Sequence, residues 1–210
     1  MSSVVIGCVA LLLVFAASRT CAQQAPQPAT MSPQQLISET IEAALKILRD
    51  PTLKNDSKLR VHKLREVADR AFEWEAMARS SLGAPWRVLD EKQRAEFVGV
   101  FKELLARRYM DDIDRFQGSE EMRVQGSEQQ GELVVVKTLL ITSSREQVPI
   151  GYTLQQAGGR WRVEDVSIEG ISLVNHYRKT FGQFLVNKSF GDLLQQLKRK
   201  LGMSNTGNPG

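Results

Sequence analysis

The stretch QVPIGYTLQQAGGRWRVEDVSI, residues 147–168, reads as a β-hairpin. Two runs rich in β-branched and aromatic residues flank Gly158-Gly159, and a Gly-Gly pair suits a two-residue turn that needs positive φ. That turn sets the register: Leu154 pairs with Val163 and Gln156 with Trp161. Tyr152, Leu154, Trp161 and Val163 then share one face. Upstream, Glu132–Ile141 and Met122–Gln125 have strand character and short polar connections. Four strands joined this way predict an antiparallel meander. The turn around Ser143 to Glu146 leaves one choice open. A shift of one residue there exchanges Val134 and Val136 for Val135 and Leu139 on the shared face. The Glu132–Ile141 strand is apolar on both faces, so both are covered or one lines an apolar cavity.

Helical spacing surrounds this sheet in sequence. Ser32, Pro33 and Gln35 form a helix start with a capping box, and Ile37, Ile41, Ala44, Leu45 and Leu48 follow on one face. Pro51 ends that helix. Asn55, Asp56 or Ser57 caps the next, whose apolar face is Val61, Leu64, Val67, Ala68, Ala71 and Phe72. A short helix runs through Met77 to Leu82 and stops at Gly83. Asp90 caps a long helix with apolar residues from Phe97 to Ile113 and Phe116, closed by Gly118. Its wet side predicts the pairs Glu103–Arg107 and Asp111–Arg115. After Gly170, Ile171, Val174, Tyr177 and Phe181 mark one more helix, and Phe190 to Leu201 another. The fold class is α+β: helices, then a four-stranded antiparallel sheet, then helices.

Composition narrows the function. The chain has 210 residues, 42% hydrophobic and 25% charged, with net charge +4. This argues against a disordered chain, a coiled coil, a collagen or a multi-pass membrane protein. Basic residues alternate with acidic ones, so no nucleic-acid patch stands out. Val4 to Ala17 is an unbroken run of apolar residues and Gly, about 14 long. That suits a signal-peptide core better than a span, which needs about 20. Thr20-Cys21-Ala22 offers a cleavage site before Gln23, and Ser18-Arg19-Thr20 is a poor lead-in for a lipoprotein site at Cys21. A retained N-terminal anchor is the alternative reading. Residues 1–22 are thus expected to be a signal peptide, 23–31 a disordered lead, 32–203 the domain and 204–210 a disordered tail. Cys8 and Cys21 both fall in the first segment, so the mature domain has neither disulfide nor thiol chemistry.

Candidate chemistry is sparse. Glu73 and Glu75 flank Trp74, and Glu164-Asp165 lie beside Trp161; acidic residues at element ends are usually solvated. His62 sits among basic residues and His176 follows Asn175, too few imidazoles for a metal or a triad. The sequence has no G-x-S-x-G, Walker or Rossmann pattern.

Three stretches together resemble one family. They are Phe72-Glu73-Trp74-Glu75-Ala76-Met77-Ala78-Arg79 with Leu82-Gly83 and Trp86; Phe97, Phe101, Leu104, Leu105 and Tyr109; and Trp161 through Val174 followed by Tyr177-Arg178 and Phe181. In order and spacing they are similar to the MlaC-type periplasmic phospholipid carriers, also called the toluene-tolerance family, from about Ser32 to Leu201. The resemblance implies that the four-stranded antiparallel sheet is curved and wrapped by the N- and C-terminal helices, with an apolar pocket between them that takes acyl tails, and with no catalytic residue, no metal and no cofactor beyond the phospholipid cargo. It implies periplasmic localisation and two partners: an inner-membrane ABC transporter with an Mce-domain subunit, and an outer-membrane lipoprotein complex. Relatives tied to hopanoid lipids, or a cavity enzyme of similar fold, are the alternatives. Under this resemblance the expected wall residues are Phe97, Phe101, Leu105 and Tyr109 from the long helix. The sheet contributes Val134, Val136, Ile150, Tyr152, Leu154, Val163 and Ile168. Ile171, Val174 and Tyr177 close one side.

Overall fold

A computed structural model describes residues 31–109, 116 and 118–203. The expected signal peptide, all of the lead except Met31, the tail, Ile113 and the Asp111–Arg115 pair lie outside the described residues. The elements are helices α1 (Pro33–Arg49), α2 (Ser57–Ala71), α3 (Trp74–Leu82) and α4 (Glu91–Arg108), then strands β1 (Glu121–Gln130), β2 (Leu133–Ile141), β3 (Gln147–Ala157), β4 (Arg160–Ile168) and β5 (Ile171–Ser172), then α5 (Leu173–Leu185) and α6 (Phe190–Leu201). Among the described residues no helix is long and apolar enough to cross a membrane.

The caps follow the sequence signals. Ser32 and Gln35 form a reciprocal box at α1, and Asp90 and Gln93 form one at α4. Asp56, among the three candidates, caps α2 by accepting from the Leu59 amide at 2.9 Å. The long helix is shorter than its apolar spacing suggested. It ends at Arg108, and Phe116 stands outside any helix. Arg107 and Arg108 in its last turn suit the negative end of the helix dipole. Nor do Glu103 and Arg107 pair. Arg65 reaches Glu103 at 2.7 Å, and Arg107 donates to the Leu201 carbonyl at 2.9 Å, tying the end of α4 to the end of α6.

The sheet is an antiparallel meander in the order β1-β2-β3-β4-β5, five strands rather than four. The extra strand is Ile171–Ser172, which folds back on Ser167 and Ile168 through Glu169 and Gly170, both at positive φ. Helix α5 therefore begins at Leu173, with Ser172 as its cap. Strand β1 extends to Gln130, beyond the expected Gln125, across a bulge at Val124/Gly126. Its second half, Gly126 to Gln130, is polar because this is an edge strand, and apolar alternation could not reveal it. The hairpin register is as read: Leu154 opposes Val163 and Gln156 opposes Trp161. The open choice resolves to Val134 and Val136, which oppose Leu154 and Tyr152. On β4 a bulge at Glu164 lets Thr153 face Asp165 while Leu154 faces Val163. Parity alone would set Val163 and Ile168 on opposite faces; the bulge returns Val166 and Ile168 to the face of Val163.

Two cores form. One joins α3 to α6 around Met77, Phe97, Phe101, Phe181 and Leu193. The other lies where α1 covers the sheet, with Ile37 and Ile41 against Val134, Val136, Leu154 and Val163. Phe72 and Leu173 pack against both. Arg162 holds this junction together. Its guanidinium donates to the carbonyls of Arg70 at 2.5 Å, Phe72 at 2.7 Å and Asp69 at 3.3 Å, and to Glu73 at 3.3 Å. It thereby satisfies the bare carbonyl end of α2 and fixes the bend that carries Phe72 and Trp74.

Candidate functional site: an apolar cavity between two cores

The concave face of the sheet is filled at one end and hollow at the other. Where α1 covers it, Val136, Leu154 and Val163 are fully buried. Past that helix, Ile150, Tyr152, Val166 and Ile168 look into a cavity of about 540 Å³. Its opposite wall comes from α2 (Val61, Leu64, Ala68), from Phe72 with Trp74 and Met77, and from Leu105, Ala106 and Tyr109 at the end of α4. The rings of Phe72 and Trp74 stack at 5.1 Å. At Gly99, a Cβ would meet open space, so this turn of α4 leaves room beside α2.

Charge at this cavity is confined to pairs. Arg65 meets Glu103 at 2.7 Å and Lys102 meets Asp69 at 2.7 Å, both bridging α2 to α4. Asp69 also accepts from the Trp74 indole at 2.7 Å, and Lys102 sits 5.4 Å from the Trp74 ring. Such half-exposed pairs add little stability. Their effect is local: each charge is answered at the rim, and the interior stays apolar. Tyr152 is the polar exception inside. Burial pushes its phenol up to about 12, and its hydroxyl has the Met122 thioether as a distant partner at 4.0 Å.

A second lobe of about 810 Å³ shares Tyr109, Ile150, Ile168 and Leu173 with the first. Leu140, Val148, Phe116, Ile171 and Tyr177 extend its apolar wall, and Arg108, Glu120, Ser143, Ser144, Glu169 and His176 edge it. This lobe is the more polar, wetter end. Burial also raises the Tyr177 phenol, an effect the nearby Arg108 opposes.

Of the residues expected on the wall, Leu105, Tyr109, Ile150, Tyr152, Ile168, Ile171 and Tyr177 line one or both lobes. Phe97 and Phe101 instead pack edge and face with Phe181 in the helical core, and Val174 is buried there with them. Val134, Val136, Leu154 and Val163 lie beneath α1. The reason is the same in each case: a neighbouring helix sits directly on the side chain and leaves no space. The wall from α2 and α3 was not anticipated. In sequence the apolar face of α2 looks the same whether it packs on protein or borders space. Val166 and Leu173 were missed because their orientation depends on the β4 bulge and the β5 turn.

Two of the four acidic candidates, Glu73 and Asp165, have structural partners. Glu73 binds Arg162, and Asp165 accepts from the amides of Val166 and Val174 and from the Ser172 hydroxyl, tying β4 to the start of α5. Partial burial raises the Glu164 carboxyl, with Arg79 opposing the shift. His62 lies 3.4 Å from Glu66 on the surface, and the His176 ring stands edge-on to Tyr177. Among the described residues no three His, Cys, Asp or Glu are placed to hold a metal.

The model of the MlaC protein family matches residues 38–199. The chain belongs to the MlaC family. The matched span takes in the whole sheet, every lining residue of the first lobe, and both cores apart from Ile37 and Leu201. A solved phospholipid-binding protein from Ralstonia solanacearum, in complex with a phospholipid, superposes on this MlaC-family chain with a TM-score of 0.74 at 20% identity. The superposition covers 80% of this chain and 96% of that one. At that identity the likeness establishes the fold. No curated protein matches the sequence.

Proposed function

We propose that the protein is a periplasmic phospholipid carrier that holds acyl chains in the two-lobed cavity and passes lipid between membrane complexes. The observation that carries this reading is the hollow half of the sheet face, where an apolar wall runs past Ile150, Tyr152 and Ile168 and the rim charges are paired. Family membership supports it, as does the phospholipid held by the solved protein of the same fold. The physics is simple. Two acyl chains carry about 30 methylenes, and at roughly 0.8 kcal/mol each their exposure to water costs over 20 kcal/mol. A dry cavity in place of bilayer removes most of that barrier. The cavity must not bind much better than a membrane does, or the lipid would stay. No reacting group is required for this work.

In this proposal the apolar segment Val4 to Ala17 directs export and is cleaved before Gln23. An outer-membrane lipoprotein complex and an inner-membrane ABC transporter with an Mce-domain subunit are the partners that deliver and receive lipid. One measurement tests the reading. Native mass spectrometry of protein recovered from the periplasm of a bacterial host should show a chain starting at Gln23 with phospholipid bound. A chain that is folded, periplasmic and free of lipid would overturn the carrier assignment; an intact Met1 in the membrane fraction would overturn the cleavage.

A further inference from the structure

Outside the two lobes, α4, α5 and α6 enclose a crevice of about 500 Å³. Its floor is apolar: Leu104, Phe181, Leu193, Leu197 and Leu201 are buried, and Phe184 stands partly exposed beside them. Its rim is basic. Arg107, Arg108 and Lys200 line it beside the His176 imidazole, and among the described residues no carboxylate lines it. The first lobe differs here, since each cation at its rim has its own Asp or Glu. Basic residues at helix C-termini often serve the dipole, and Arg107 is used that way in its bond to the Leu201 carbonyl. Lys198 is likewise engaged, by Glu96. Arg108 and Lys200 are exposed, with Arg108 lying 5.6 Å from the Tyr109 ring. An apolar slot with convergent charges of one sign is the usual form of a site for an amphiphile of the opposite sign. The crevice borders the outer lobe, with which it shares Arg108, His176 and Tyr177.

We propose that this crevice is a second lipid site, taking a single-chain anionic amphiphile such as a lysophospholipid. The tail lies against Phe181, Phe184 and Leu197, and the anionic head sits between Arg108 and Lys200. The crevice is a single slot of about 500 Å³, whereas the main cavity joins two lobes of about 540 and 810 Å³, and this favours one chain over two. Complementary charge selects the head, and the apolar floor sets the affinity.

The test is a titration followed by native mass spectrometry. Protein preloaded with phosphatidylglycerol receives lysophosphatidylglycerol or lysophosphatidylcholine below the micelle concentration. One lysophosphatidylglycerol should add without displacing the diacyl lipid, and lysophosphatidylcholine should bind about tenfold more weakly, a gap of about 1.4 kcal/mol. Thr180 and Lys200 are exposed and line the crevice alone. Thr180→Trp fills the slot and Lys200→Glu reverses the rim; each should weaken lysophosphatidylglycerol about tenfold or more with the phosphatidylglycerol load unchanged. Displacement of the diacyl lipid one for one, equal binding of the two lysolipids, or undiminished binding in both variants would each overturn the proposal. A protein that takes up no phosphatidylglycerol would fail the carrier reading alone, since the lysolipid titration of the unloaded protein and of Thr180→Trp still decides the crevice.

Discussion

Burial of the Tyr152 ring against the cavity pushes its phenol from an ordinary 10.0 up to about 12. The ring retains some accessible area, but that area faces the cavity rather than bulk water. The neutral phenol is therefore favoured in the folded state, and ionisation is easier in the unfolded chain. A raised pKa of this kind stabilises fully below pH 10 and is lost as pH rises through 12. With about 1.4 kcal/mol per unit, and allowing for water entering an empty cavity, the loss should reach about 2 kcal/mol. Urea unfolding of the wild type and of Tyr152→Phe, both free of lipid, should show the wild type losing that stability relative to the variant between pH 10 and 12. The shared contribution of Tyr177 cancels in that difference. Parallel curves across this range would mean that the phenol is solvated in the folded protein.

At the scale of elements, one sheet face does two jobs, and α1 divides them. Val136 lies beneath α1 with no exposed surface, whereas Ile150, on the neighbouring strand and the same face, lines the cavity. A carboxylate at position 136 would be buried and unpaired, at a cost of several kcal/mol, comparable to a domain's whole stability. At position 150 water can enter the emptied cavity beside it. Val136→Glu should unfold or lose cooperative melting by circular dichroism. Ile150→Glu should stay folded and copurify without lipid, because acyl chains cannot share a dry space with a charge. A folded Val136→Glu would show that α1 lifts from the sheet. Lipid retained in Ile150→Glu would place the chains elsewhere. The hairpin that carries Ile150 was legible beforehand, because Gly158-Gly159 admits a two-residue turn and so sets the pairing, whereas the facing of Val136 hung on the β2–β3 turn, which two registers fitted. The β4 bulge was not, because the extra residue, Glu164, resembles any solvated strand residue in sequence.

The whole molecule is built around space that cargo would occupy, so its stability should depend on that cargo. A ligand bound only by the folded state, at about 100 times its dissociation constant, adds about 2.7 kcal/mol. For a domain of this size, removing it should lower the melting temperature by roughly 5–10 °C. Differential scanning calorimetry of delipidated and reloaded protein, each with and without EDTA, measures this; EDTA should have no effect. An unchanged melting temperature on delipidation would mean that the lobes close or fill with water at no net cost. The α+β order of elements, the caps of α1 and α4, the hairpin register and the apolar stripes of the helices were readable from residues 32 to 201, because capping chemistry, turn chemistry and periodicity act over a few residues. The division between core and cavity wall was not. Phe101 and Leu105 lie one turn apart on α4 with the same apolar character, yet Phe101 packs on Phe181 and Leu105 borders the hollow. Burial against a neighbour and exposure to a dry cavity favour the same side chains, so only the distance at which Arg162, α1 and the β4 bulge hold the surrounding elements decides where protein ends and space begins.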